Sequence, residues 1–130
     1  MNISELSIMI VEDNRILQRT MLELLEDHGY HNLHAFSDGM HAIRYFQEST
    51  ADLVVLDVEI PGINGLDVLV QFKSLKPRMP VVMVSSLHDR RILMQACESG
   101  ASTFFPKPLD SEMFCRKIEE LLRQVTFYRE

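Results

Sequence analysis

Leu53-Val54-Val55-Leu56-Asp57 decides the fold. Four apolar residues run together and end on a carboxylate. A strand with one face in water alternates polar and apolar side chains. This one does not alternate, so both of its faces are expected to be buried, the condition of strands in a parallel sheet covered by helices on both sides. The same reading applies outward in both directions, to Ile8-Met9-Ile10-Val11 upstream and Val81-Val82-Met83-Val84 downstream. His31–Phe36 alternates instead and reads as a strand near an edge, and Thr103-Phe104-Phe105 reads as a last short strand.

Helical periods fill the intervals. Ile16–His28 places Leu17, Met21, Leu24 and Leu25 on one face and is closed by Gly29. Ser37-Asp38-Gly39 forms a turn able to cap Met40–Gln47, Asn64 caps Leu66–Leu75 before Pro77 ends it, and Gly100 closes Arg91–Ser99. Ser111 to about Phe127 repeats Phe114, Ile118, Leu121, Leu122 and Val125 at helical spacing. The pattern is strand–helix repeated five times over 130 residues with no linker, so residues 1–130 are expected to form one α/β domain. Right-handed crossovers leave a doubly wound five-stranded parallel sheet of order 2-1-3-4-5, with its site at the carboxyl ends of the strands near the switch between strands 1 and 3.

The polar residues at those ends carry the chemistry. Strand 1 ends in Glu12-Asp13, strand 3 in Asp57, strand 4 in Ser85-Ser86, and strand 5 leads into Lys107 between Pro106 and Pro108. Separations of 44, 28 and 22 residues between Asp13, Asp57, Ser85 and Lys107 mean that the fold, not local spacing, must bring them together. Clustered carboxylates repel unless a positive charge sits among them. Mg²⁺ suits a site of a few carboxylates, waters and a phosphate. A carboxylate beside such a metal can attack a phosphoryl group, and a hydroxyl and an ammonium can then answer the new charge.

Four pieces, Val11-Glu12-Asp13-Asn14, Leu56-Asp57 through Asn64-Gly65, Val82 through Ser86, and Gly100-Ala101 through Phe104-Phe105-Pro106-Lys107-Pro108, resemble the receiver domain of two-component response regulators. The resemblance covers nearly the whole chain, from Ile8 to about Val125, and implies a flavodoxin-like (βα)5 fold. It implies Asp57 as phospho-acceptor, with Ser85 and Lys107 completing the reactive set. It implies Mg²⁺ held by Asp13, Asp57, the backbone carbonyl of Glu59 and, through water, Glu12. It implies Ser85 as the switch hydroxyl, Phe104 as the switch aromatic, and a cis Lys107–Pro108 bond. It implies a sensor histidine kinase or phosphotransfer protein as donor and an effector domain or protein as the output. Asp57 through Pro61 and Met79 through Leu87 further resemble the receivers of chemotaxis methylesterases. With no Gly-x-Ser-x-Gly elbow, no esterase activity is carried over.

Composition excludes other classes. Hydrophobic residues are 46% and charged residues 25%, as in soluble globular proteins. The net charge of −6 argues against nucleic-acid or anionic-membrane binding. Residues 1–60 hold 11 acidic and 3 basic side chains, and residues 61–130 hold 8 and 10. No apolar run is long enough to span a bilayer, and Met1-Asn2-Ile3-Ser4-Glu5 has no signal-peptide character. A reducing cytoplasm fits two cysteines, Cys97 and Cys115, both expected as buried free thiols on apolar-periodic stretches. His28, His31, His34, His41 and His88 form no metal spacing. The expectation is a phosphoryl-accepting switch rather than an enzyme with an independent substrate. The alternative is a Mg²⁺-dependent phosphohydrolase with an Asp nucleophile, which would carry a second Asp where Glu59 stands. A flavin mononucleotide binder would not place Glu12-Asp13 in its phosphate loop.

Overall fold

The computed structural model describes residues 2–87 and 89–129. A short 3-10 turn, Ile3–Glu5, precedes five strands and five helices in strict alternation. They are β1 (Ser7–Val11), α1 (Arg15–Asp27), β2 (Asn32–Phe36), α2 (Gly39–Glu48), β3 (Leu53–Asp57), α3 (Gly65–Leu75), β4 (Val81–Ser85), α4 (Arg90–Glu98), β5 (Thr103–Pro106) and α5 (Ser111–Arg129). All strand pairs are parallel, in the order β2-β1-β3-β4-β5. The expected doubly wound sheet is the observed one.

The continuous apolar runs are explained by two separate cores. Successive strand side chains point to opposite faces. Ile8, Ile10, Leu53, Val55, Val82 and Val84 pack on one face with Met21 and Leu25 of α1 and Phe114, Ile118 and Leu122 of α5. Met9, Val11, Val54, Leu56, Val81 and Met83 pack on the other with Ala42 and Phe46 of α2, Leu69 and Phe72 of α3, and Ala96 of α4. Phe46 and Phe72 stack with ring centroids 4.1 Å apart in that second layer. All five residues of β1, β3 and β4 are buried, whereas β2 is an edge strand with only intermediate or exposed positions.

Helix starts are fixed by side chains that accept from otherwise unpaired backbone N–H groups. Asn14 accepts from Ile16 and Leu17, Asp38 from His41, Asn64 from Leu66, and Asp89 from Ile92. Four of the helices, α1 to α4, therefore begin one residue earlier than their apolar periods suggest. Cys115 is buried as expected, but Cys97 is exposed. The reason is the narrow inner face of α4, which buries Ala96 alone and turns the next side chain toward solvent.

Candidate functional site

Parallel strands end at the same side of the sheet, and the register aligns their last residues. Val11 lies opposite Leu56, Asp57 opposite Val84, and Ser85 opposite Pro106. Backbone bonds carry this alignment past the strand ends. Glu12 N donates to Phe36 O at 2.9 Å, Val58 N to Val84 O at 3.0 Å, and Lys107 N to Ser85 O at 2.9 Å. Lys107–Pro108 is cis, as expected.

Glu12 and Asp57 are 0% and 1% exposed, so two carboxylates are buried side by side. Lys107 stands between them, its Nζ 3.0 Å from Asp57 Oδ2 and 3.1 Å from Glu12 Oε1. Glu59 N donates to Asp57 Oδ1 at 3.1 Å, and Asn14 N donates to Glu12 Oε2 at 3.0 Å. Gln18 Nε2 donates to Glu12 O at 2.9 Å and anchors the β1 end to α1. Asp13 is exposed at the mouth. One carboxylate oxygen from each of Glu12, Asp13 and Asp57 lies within 4.8 Å of the others, the one such group of potential ligands among the described residues.

The charges are not balanced by the protein alone. Burial, then the neighbouring Glu12 and Glu59 carboxylates, push Asp57 up to about 8, against the pull of Lys107. Burial acts to lower Lys107, but its pairing with the Asp57 and Glu12 carboxylates outweighs that and raises it. Glu12 Oε1 is buried and accepts no aligned hydrogen bond, with the Lys107 ammonium beside it as an ion pair. Three clustered carboxylates against one ammonium, with a buried oxygen still lacking a hydrogen bond, form a donor set suited to a hard divalent cation.

Ser85 is 0% exposed at the end of β4, and its Oγ donates to Glu59 Oε2 at 2.7 Å. The Glu59 side chain thus faces the β4 end, where it also accepts from Ser86 and Leu87. Burial acts to raise Glu59, yet the Ser86, Ser85 and Asp57 hydrogen bonds hold it down at about 2. Phe104 is half-buried against the α2/α3/α4 core, opposite Met83 in the register. The structure therefore brings Glu12, Asp13, Asp57, Glu59, Ser85 and Lys107 to one edge and leaves Phe104 one strand away. Sequence reading passed over the supporting roles of Asn14, Gln18 and Ser86. A polar pair at the β4 end, Ser85-Ser86, was the available signal for the last. No described histidine joins the cluster, and His88 lies outside the described residues. Among the described residues no helix is long and apolar enough to cross a membrane.

Residues 8–119 match the response regulator receiver domain family model. The chemotaxis protein CheY-3 of Vibrio cholerae is 27% identical over 123 residues, covering 92% of this chain and 94% of that protein. The protein-glutamate methylesterase/protein-glutamine glutaminase of Treponema pallidum is 32% identical over 114 residues, covering 85% of this chain and 28% of that protein. The chain thus spans almost all of several curated relatives and about a third or less of others. A CheY-like receiver domain structure from Methanospirillum hungatei superposes with a TM-score of 0.87 at 22% identity, covering 94% of this chain and 98% of that one.

Proposed function

The chain belongs to the response regulator receiver domain family of two-component signalling, and from that premise we propose that it is a phosphoryl-accepting switch with Asp57 as acceptor. One observation carries the assignment: Asp57 is the buried carboxylate held at once by Lys107, by a backbone N–H and beside the Glu12–Asp13 pair. The donor is a phosphohistidine on a sensor histidine kinase or phosphotransfer protein. An Asp57 carboxylate oxygen forms the new P–O bond as the P–N bond breaks, and the imidazole nitrogen keeps the electron pair. Lys107, already paired with Asp57, offsets charge on the transferred group.

Glu12, Asp13, Asp57 and the Glu59 carbonyl would hold Mg²⁺, which when bound neutralises phosphoryl charge. Phosphorylation adds nearly two negative charges at the β3 end. Ser85 is the nearby hydroxyl able to move toward them, and Phe104, on the neighbouring strand, turns inward as the second switch element. The output is an altered surface read by an effector domain or protein in the cytoplasm, without nucleic-acid or membrane binding by this domain. Autodephosphorylation ends the signal. The phosphohydrolase alternative needs an acid at the position of Glu59, and that carboxylate is instead held ionised by hydrogen bonds.

Acetyl phosphate with Mg²⁺ is expected to label the wild-type chain stoichiometrically and Asp57→Asn not at all, read by intact-protein mass spectrometry. Stoichiometric labelling of Asp57→Asn overturns the assignment.

A further inference from the structure

The Glu59 carboxylate accepts four hydrogen bonds from Ser85, Ser86 and Leu87 at the β4 exit. Ser85 Oγ donates to its Oε2 at 2.7 Å. Ser86 N donates to its Oε1 at 3.0 Å and Leu87 N at 3.2 Å, and the Ser86 hydroxyl donates to the same oxygen. Leu87 N also donates to Ser85 Oγ at 2.8 Å, so Ser85 is fixed from both sides. Asp89, two residues after Leu87 in sequence, caps α4 with its side chain. Glu59 N meanwhile donates to Asp57 Oδ1 at 3.1 Å. One residue therefore touches the acceptor with its backbone and Ser85, Ser86 and Leu87 with its side chain.

We propose that Glu59 is an autoinhibitory latch: its carboxylate holds the Ser85 hydroxyl and the turn leading to α4 in the resting position, and is displaced when negative charge arrives on Asp57. The inference rests on the acceptor reading of Asp57. It follows from two facts of hydrogen-bond chemistry. A serine hydroxyl has one proton to donate, and here Glu59 takes it. A charged acceptor binds it about twice as strongly as a neutral one, so Ser85 turns only to a competitor of at least equal charge. A phosphoryl group on Asp57 is such a competitor, and it also repels the Glu59 carboxylate two residues away. The same event removes the Glu59 carboxylate from Ser86 and Leu87, and the change is passed along the chain toward the α4 cap at Asp89.

Glu59 is a positioning residue in this scheme, so its removal must shift the resting protein and not merely weaken it. The test compares amide NMR spectra of wild type, Glu59→Ala, Glu59→Gln and Ser85→Ala, each with and without beryllofluoride plus Mg²⁺. In Glu59→Ala without beryllofluoride, amides of residues 85–87 and 90–92 are expected to move along the line joining the wild-type free and beryllofluoride-bound positions, by at least a quarter of its length. Glu59→Gln replaces one acceptor oxygen by a donor and is expected to move part-way along the same line. Ser85→Ala is expected to bind beryllofluoride but to show less than half of the wild-type response in α4. Free Glu59→Ala and Glu59→Gln spectra that stay at the wild-type resting position, or leave the line, overturn the latch while a normal wild-type response leaves the acceptor reading standing. Absence of any wild-type response to beryllofluoride overturns the acceptor reading itself.

Discussion

Gly65 begins α3 against the back of the acceptor strand, and replacing it tests whether the site depends on that close approach. Its N donates to Val58 O at 2.8 Å, which draws the helix start onto the segment following Asp57. A Cβ on Gly65 would lie 2.1 Å from Asp57 O and 2.6 Å from Val58 Cα. Both are backbone atoms, and Cβ contacts below 3.0 Å are essentially never seen, so α3 and the β3 exit must part by about 0.9 Å. No flexible side chain can absorb this. Forced backbone shifts in a packed interior cost about 3 kcal/mol, at the upper end of overpacking effects. For a domain of this size that is roughly 10 °C in Tm, at about 3–4 °C per kcal/mol. Gly62 supplies the control. It has φ +83° and nothing within 4 Å of an added Cβ, so Gly62→Ala carries only the left-handed backbone penalty of about 1 kcal/mol. Urea and thermal unfolding of both variants, with Mg²⁺ titration of each, measures the difference. Gly65→Ala is expected to lose at least about 2 kcal/mol more than Gly62→Ala and to bind Mg²⁺ more weakly, because the displaced atoms belong to Asp57 and Val58. Equal losses in the two variants would refute the reasoning.

Asp13 is the exposed member of the carboxylate group, so Asp13→Ala is expected to lower Mg²⁺ affinity at least about tenfold, roughly 1.4 kcal/mol, in calorimetric titration, while Tm in chelator stays equal or rises as repulsion is relieved; unchanged Mg²⁺ affinity counts against that ligand. Asp38 caps α2 by accepting from His41 N at 2.9 Å, with His41 Nδ1 2.6 Å from its other oxygen. The backbone bond first, and the imidazole second, hold its carboxyl below the usual value of 3.8. A group lowered on folding stabilises above its unfolded pKa and loses that contribution as pH falls through its folded pKa. Asp38→Ala is therefore expected to destabilise clearly at pH 6 and less at pH 2.5 in urea unfolding, and a deficit that does not shrink with acid would show that the ionised carboxylate contributes nothing to the cap.

What was legible in the sequence was whatever two faces of burial impose. β1, β3 and β4 could be read because four apolar residues run unbroken through each strand covered on both sides, and their ends could be read because polarity returns abruptly at Glu12, Asp57 and Ser85. Helix boundaries slipped by a residue because capping depends on Asn14, Asp38 and Asp89 reaching back to specific N–H groups, while apolar periodicity reports only the inner face. Cys97 was misplaced for a related reason. A helix at the edge of a layer buries a single residue, Ala96, and a periodic pattern does not give the width of the buried stripe. The direction of the Glu59 side chain was not legible at all, because it depends on a rotamer and on the path of the turn after Ser85.

The two acidic residues 57 and 59 show why that direction matters. Asp57 ends β3 and Glu59 follows two residues later, and their environments drive them apart. Asp57 is enclosed, beside Glu12, and stands at about 8. Glu59 is partly exposed, meets hydroxyl and backbone donors, and stands at about 2. Lys107 is committed to the first and the β4 exit to the second. Charge added at Asp57 competes for both sets of partners at once, because the Glu59 backbone is bonded to Asp57 while its side chain is bonded to Ser85. Electrostatic change at β3 is thus converted into a hydrogen-bond change at β4 through one residue. The parallel sheet makes this possible by ending both strands on the same side, with Ser85 five residue positions before α4 begins at Arg90.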